Sequence, residues 1–491
     1  MSILSSQKLS SKDQEKLNLD KLVLPSKSQF AYQEAELAAF MHFSVNTFTG
    51  REWGTGEEDP NVFNPSKFNP DGMVKAIKEA GFSRLIITAK HHDGFCLWFT
   101  DATNHSVEHT KFHRDVLKEL SAACTKYDLD MGIYLSPWDA HEPSYGYGEG
   151  YNEETDTNGD YNEFYLQQIL EICKNPQYGN KGKFVEWWLD GAKGEGADAQ
   201  EYDFETWIKT IRKYNPGINI FGAGVEGGIH WVLNENGFAP EPCYYTVTKV
   251  PGAENNLEQD PQGEYWSVPE ADVSIYKGWF HHENDKTKTQ SELAYIYLNS
   301  IGRGSTLLIN LAPSQEGDFT PELYETLDDF HEAVSTINKP VLAAENKDLT
   351  TSSEMDLDYK DYLHCFENED RKPEIIFEFD QALNFDLVSI GEAIEFGQKV
   401  EEFSLELEKD TGEFIHIFHG TTIGHKRIIP LDKKLRNTKF KALKFRFKLL
   451  EGKGPLVLNF ITLNKLAKKW QDPQSAEKAP LPGVEPGDPE W

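Results

Sequence analysis

Cysteine and methionine are scarce in this chain, five of each among 491 residues. The cysteines, Cys96, Cys124, Cys173, Cys243 and Cys365, are odd in number and widely spaced, with no CxxC pair. That excludes a disulfide framework and a zinc knuckle and leaves buried free thiols as the expectation. Positive charge is short as well: 49 Lys and Arg stand against 81 Asp and Glu, a net charge of −32. Phosphate binding needs clustered Lys and Arg, so nucleic acid and anionic membrane are excluded as partners and a neutral substrate is favoured. A run of about 18 apolar residues, the minimum for a membrane-spanning helix, is missing. Residues 1–30 lack the apolar centre of a signal peptide. The compartment stays open, with periplasm or cell exterior expected only had an export signal been removed; the oligomeric state is open too.

Aromatic side chains are plentiful, at 12% of the chain with 30 Phe, 20 Tyr and 11 Trp. Rings with polar handles suit carbohydrate, whose C–H faces pack on them, although large cores are also rich in aromatics. From Glu36 to about Pro340 short apolar runs alternate with helical patterns. Strands are expected at Ala38–His42, Arg84–Ala89, Met131–Leu135, Phe184–Leu189 and Ile218–Phe221, with weaker candidates at Cys243–Val247, Tyr276–Phe280 and Thr306–Leu311. Helices are expected from near Asp71, over Val116–Tyr127 and over Phe204–Tyr214. Such alternation predicts a parallel sheet, and eight units predict an α/β fold of the TIM-like (β/α)8 barrel kind over residues 30–340. A doubly wound sheet is the alternative, but no Gly-rich phosphate loop follows the first strand. Beyond Lys339-Pro340 the period falls to two, as in Ile375–Phe379, Phe403–Leu407 and Phe440–Phe447, which predicts a C-terminal antiparallel β-sandwich over residues 345–466. Residues 467–491 form a Pro-rich tail holding Pro473, Pro480, Pro482, Pro486 and Pro489.

The segment Val185-Glu186-Trp187-Trp188-Leu189-Asp190-Gly191-Ala192 sets a carboxylate at the end of a buried strand. In a barrel of parallel strands that is the mouth where chemistry is done; a strand-end Asp equally caps a following helix. Further polar and aromatic clusters sit at other expected strand ends. They are His42–Phe48 with Glu52-Trp53, Thr88–Phe95 with His91-His92, Gly132–Asp139 with Tyr134, His230–Glu235, and Gly278–His282 with Trp279. Neighbouring residues of an extended strand point to opposite sides, so His91 and His92 share a ligand only if the backbone turns there. Sugar-hydroxyl contacts, metal ligation and structural hydrogen bonding all fit a His pair, but no third metal ligand has suitable spacing and Lys90 adjoins them. Glycoside cleavage needs two carboxyl groups, about 5–5.5 Å apart in a retaining enzyme. Asp190 is the candidate nucleophile. Glu235, beside Trp231, Val232 and Leu233, is the candidate acid/base, since desolvation raises a carboxyl pKa; Glu226, Glu52, Glu58 and Glu195 compete with it.

Taken together these runs resemble the α-L-fucosidases of glycoside hydrolase family twenty-nine. The similarity spans Phe40 to about Leu311: His42-Phe43 with Asn46-Thr47-Phe48, Glu52–Gly56, Phe63-Asn64-Pro65, Ala89–Trp98, Gly132–Asp139, Trp188–Glu195, Trp231-Val232 with Asn234–Gly237, and Gly302-Arg303 with Leu307–Asn310. The resemblance implies a retaining, exo-acting enzyme without cofactor or metal that releases terminal fucose. By position Asp190 resembles the nucleophile. The Asn234-Glu235 step resembles the acid/base segment of the branch acting on α-1,3/1,4-linked fucose. His42, His91, His92, Tyr134 and Trp188 resemble contacts to the fucose hydroxyls, and Glu52, Trp53 and Trp279 resemble the pocket wall. The chain departs from the pattern at Leu189, where an aromatic is usual, and in the loop Gly222–Gly228 with its Glu226. Alternatives are a related fucan- or galactoside-cleaving retaining glycosidase and a catalytically silent fucose-binding protein.

Overall fold

The helices form where an apolar stripe and a capping side chain coincide. Asp115 accepts a hydrogen bond from the Lys118 amide and starts Val116–Tyr127, which buries Val116, Leu117, Leu120 and Cys124. Asp203 does the same for Phe204–Tyr214, whose Trp207, Ile208 and Ile211 turn inward. Thr320 followed by a proline at the first helical position starts Pro321–Ile337. Both Val116–Tyr127 and Phe204–Tyr214 coincide with the expected spans. The computed structural model describes residues 11–17, 19–146, 157–194, 200–249, 259–345, 349–351, 364–365 and 372–470.

Eight parallel strands close into a barrel: β1 Leu37–Met41, β2 Arg84–Lys90, β3 Asp130–Leu135, β4 Glu186–Trp188, β5 Asn219–Phe221, β6 Gly228–Trp231, β7 Val268–Ser274 and β8 Thr306–Asn310. β1 closes the ring by pairing with both β2 and β8. The second half departs from strict alternation. Only residues 222–227 link β5 to β6, and a long excursion carrying the hairpin Thr246–Val247 with Tyr265–Trp266 links β6 to β7. Two strand expectations are corrected accordingly. Cys243–Val247 supplies only a hairpin edge outside the barrel, and Tyr276–Phe280 is loop. The strands in their places are β6, which holds His230 and Trp231 behind the glycines of 222–228, and β7, whose Glu270 and Asp272 disguise it as polar surface.

The C-terminal region is a sandwich of two antiparallel sheets. One runs Leu342–Ala343, Val457–Asn464, Leu387–Glu392, Arg427–Pro430; the other Leu349–Thr351, Glu374–Leu383, Phe440–Leu449, Val400–Lys409, Phe414–Gly420. Phe377, Val388, Ile390, Phe403, Leu405, Phe445 and Ile461 interdigitate between them. The sandwich docks where the barrel strands begin: the Lys426 Nζ lies 2.5 Å from Glu36, Arg427 lies 2.9 Å from Glu241, and the Ile428 amide donates to the Gly302 carbonyl at 2.9 Å. These contacts lie at the end of the barrel opposite the strand ends where the catalytic mouth is expected. Lys468–Trp470 forms a short 3-10 turn whose indole packs on the barrel rings of Tyr297 and Phe330, so the expected tail is anchored through Trp470; its prolines lie outside the described residues. Cys96, Cys124 and Cys243 are buried free thiols and Cys173 is half-buried; the Cys365 side chain is outside the described part. Among the described residues no helix is long and apolar enough to cross a membrane.

Candidate active site

β4 places alternate side chains inside the barrel. Glu186 and Trp188 face inward, whereas Trp187 is fully buried in the surrounding helix layer and takes no part in the mouth. Trp188 donates its indole N–H to Glu270 Oε1 at 3.0 Å and stacks on Phe221, ring centroids 3.5 Å apart. Asp190 emerges just past the strand end with 24% of its side chain exposed. Its Oδ2 accepts the Tyr134 hydroxyl at 2.8 Å and lies 3.5 Å from His92 Nε2, while Oδ1 accepts the Ala192 amide at 2.9 Å. The Tyr134 hydroxyl of β3 thus fixes one oxygen of the carboxylate, and its own turn fixes the other.

The backbone does leave the strand after Lys90. His91 and His92 lie in a turn with ring centroids 4.2 Å apart, while Lys90 points into the helix layer and pairs with Asp139 at 2.8 Å. His91 stacks on Tyr134, and its buried Nδ1 has no hydrogen bond among the described residues. His92 Nδ1 is held by Ser136 Oγ at 2.7 Å. His42, just past β1, is held by Asn310 Oδ1 at 2.9 Å. Burial lowers the pKa of His42 to about 4, that of His92 to about 4 against the pull of Asp190, and that of His91 well below the usual value. All three are neutral at physiological pH and can exchange hydrogen bonds with hydroxyl groups.

Glu235 follows β6 on a loop shaped by Asn234. That side chain donates to the carbonyls of Val232 and Phe238 and accepts the amides of Asn236 and Phe238. Burial, then the charge of Asp190, raises the Glu235 pKa to about 7. Leu233 was expected to help desolvate it, yet is 44% exposed with φ +63°, so the shielding comes from the pocket itself. Trp279 hydrogen-bonds Glu235. Glu52 accepts the Trp279 amide at 2.8 Å and the His282 ring at 2.6 Å, and Trp53 packs edge-on against His92 and Trp138. The Trp279 ring lies 5.1 Å from His42. All ten expected site residues therefore line one end of the barrel. Of the competing acids, Glu226 is exposed beside Arg212, before β6 begins, and Glu58 caps its own turn at Thr55. Glu195 lies outside the described residues. Among the described residues no three of His, Cys, Asp and Glu form a group able to hold a metal ion.

Asn310 and Ser136 lie in runs that stood out in the sequence but carried no assigned role there, and Asp272 did not stand out at all. Asn310 orients His42, and Ser136 orients His92. Only their positions at the ends of β8 and β3 could have flagged them.

A family model described as Alpha-L-fucosidase matches residues 3–336. The chain belongs to the α-L-fucosidase family. It is 36% identical over 432 residues to Alpha-L-fucosidase 1 of Arabidopsis thaliana, covering 83% of this chain and 82% of that protein. Among solved structures it is similar to a GH29 fucosidase of Ruminococcus gnavus in complex with fucose, with TM-score 0.83 and 34% identity, covering 91% of this chain and 96% of that one. The enzyme is a glycoside hydrolase, and the closed barrel followed by antiparallel sheets is the fold of these relatives.

Proposed function

We propose that the enzyme is an exo-acting, retaining α-L-fucosidase that releases terminal fucose from α-1,3/1,4-fucosylated oligosaccharides or glycoconjugates. The observation that carries this reading is a pair of unlike carboxyl groups at one mouth. Asp190 is partly exposed and held by hydrogen-bond donors, whereas Glu235 is shielded and proton-retaining. Environments that push two carboxyl groups apart divide nucleophile from acid. Asp190 Oδ attacks the anomeric carbon while Glu235 gives its proton to the departing glycosidic oxygen, forming a fucosyl ester and a free acceptor. Glu235, now a carboxylate, takes a proton from water, whose oxygen displaces Asp190 and releases fucose with its anomeric configuration retained.

His42, His91, His92, Tyr134 and Trp188 hold the fucose hydroxyls in this reading, with Glu52, Trp53 and Trp279 as walls. The linkage preference rests on the likeness of the Asn234-Glu235 step to the α-1,3/1,4 branch. The acidic surface favours a neutral glycan over a sulfated fucan. The test is nuclear magnetic resonance of an aryl α-L-fucoside during hydrolysis, beside a Lewis-type trisaccharide and an α-1,2-linked fucoside. Retention predicts α-fucose as the first anomer and cleavage of the trisaccharide in preference to the α-1,2 isomer; β-fucose first overturns the mechanism.

A further inference from the structure

The loop that carries Glu235 is stitched to β7 at both ends. Before it, Trp231 on β6 pairs with Glu270, and the Val232 amide donates to the Glu270 carbonyl at 3.2 Å. After it, Asn236 forms an antiparallel bridge with Val273. Gly237, with φ +75°, lies so close that a Cβ there would stand 2.8 Å from Ile296 and 3.1 Å from Val273. The two anchors on β7 bracket Asp272. Alternation along β7 aims Glu270, Asp272 and Ser274 into the barrel, and each grips a different wall of the pocket. Glu270 takes the Trp188 indole, Ser274 accepts from Asn310 at 3.0 Å, and Asp272 Oδ1 accepts the Trp231 indole N–H at 2.8 Å.

Asp272 is 3% exposed, makes no ion pair with Lys or Arg among the described residues, and lies within electrostatic reach of Glu235. We propose that Asp272 is a positioning residue for the acid/base: through its hydrogen bond to the Trp231 indole it sets the root of the Glu235 loop, and so the placement of the Glu235 carboxyl over the glycosidic oxygen. This rests on Glu235 being the acid/base. Burial, then the Glu235 charge, raises the Asp272 pKa well above the usual carboxylate range, and the amide of asparagine copies the group in size and in its acceptor oxygen.

Misplacing a general acid hurts most where the leaving group is poor. The experiment compares a p-nitrophenyl α-L-fucoside with a Lewis-type trisaccharide for Asp272→Leu, Asp272→Asn, Trp231→Phe, the double variant Asp272→Leu/Trp231→Phe, and Glu235→Gln, with melting temperature measured on each. Asp272→Leu and Trp231→Phe, which removes the donor while keeping an aromatic ring, are expected to lower kcat/KM on the trisaccharide by about tenfold or more beyond their effect on the aryl fucoside. The double variant should be no worse than the worse single one, and Asp272→Asn should recover most of the loss. Equal losses on both substrates, additive losses, or an asparagine variant as damaged as the leucine one overturn the proposal. If Asp272→Leu does not fold, Trp231→Phe alone decides by the same substrate ratio. Glu235→Gln without leaving-group dependence overturns the acid/base reading, and this proposal with it.

Discussion

The barrel holds two clusters of carboxyl groups, one at its floor and one at its mouth, drawn from the same two strands. At the floor Glu186 of β4 and Glu270 of β7 surround the Arg84 guanidinium at 3.7 and 3.9 Å, under Tyr32 of the helix Lys27–Glu34. Tyr32 donates to Glu186 and stacks on Arg84, and all four side chains are sealed from water. At the mouth Asp190 lies just past the end of β4 and Asp272 lies on β7, with Glu235 and Glu52 added by loops. Among the described residues none of these four pairs with Lys or Arg, and the basic side chains that approach them are His92 at Asp190 and His282 at Glu52. The residue type and the strands are shared; the cation and the lid are not. A compensated, capped carboxylate is a building element, because removing one partner leaves a buried charge alone. An uncompensated carboxyl group open to a ligand, as Asp190 is, keeps its reactivity for that ligand, with the buried Asp272 behind it.

That contrast breaks most sharply at Asp190. Asp190→Ala should lower turnover of every fucoside by on the order of 10⁴-fold or more, without loss of melting temperature. Added azide should restore part of it and yield a β-fucosyl azide. A variant that keeps more than a few per cent of activity removes Asp190 from the role of nucleophile.

Glu235→Gln comes next. It should cost about 10²–10⁴-fold on natural oligosaccharides and much less on activated aryl fucosides. A general acid works only while protonated, and Glu235 loses its proton near pH 7. In the parent enzyme kcat/KM should therefore fall as pH rises through about 7, and this alkaline limb should vanish in the variant when the leaving group needs no acid. A limb that persists unchanged assigns it to another group. The parallel Glu226→Gln variant should show neither effect.

At the floor the prediction inverts. Arg84→Met strands two buried carboxyl groups and should cost about 3–5 kcal/mol of stability, with the kinetics of the folded fraction near those of the parent. Adding Glu186→Gln and Glu270→Gln should return part of the stability. Should Arg84→Met instead lower kcat at an unchanged melting temperature, the floor is part of the catalytic apparatus and the division between the clusters fails.

His91→Ala and His92→Ala sharpen the same line at smaller scale. Each should lower kcat/KM by about 1–3 kcal/mol through lost hydrogen bonds to a buried sugar, with little change in melting temperature and none on adding chelator. A large melting loss with intact kinetics would mark them as floor-like, structural groups.

Much of this was legible in the sequence where residue pattern and burial agree. β2, β3 and β8 read as apolar runs, and two helices matched to the residue because caps and stripes coincided. β6 and β7 did not read as strands, since the interior of this barrel is polar at its mouth. Along β7 the inward positions Glu270, Asp272 and Ser274 are the hydrophilic ones, which inverts the usual alternation, and Pro269 adds a strand-breaking signal. The site residues stood out because His, Trp, Asp and Glu are distinctive. The residues that orient them, Asn310, Ser136 and Asp272, are ordinary polar side chains whose partners lie far away along the chain. Only three-dimensional pairing reveals what they hold.

The joint between sandwich and barrel has its own response to acidity. Burial disfavours a charged His425, but its hydrogen bonds to Glu34 and Glu36 outweigh that and raise its pKa to about 9. Burial likewise opposes the charge on Glu36, yet Lys426 and His425 bring its pKa down to about 2. A raised histidine stabilises the folded state fully below its unfolded pKa near 6.5 and loses that contribution as pH rises through about 9. A lowered carboxylate contributes fully above about 4.5 and loses its share as pH falls through about 2. Both act in full only between about 4.5 and 6.5, so the union of the two domains is tightest in mildly acidic medium and loosens towards either extreme. His425→Gln should cost on the order of 3 kcal/mol in melts at pH 6 and almost nothing at pH 10. The two domains are thus held together best in mildly acidic surroundings, whatever pH the chemistry at the mouth prefers.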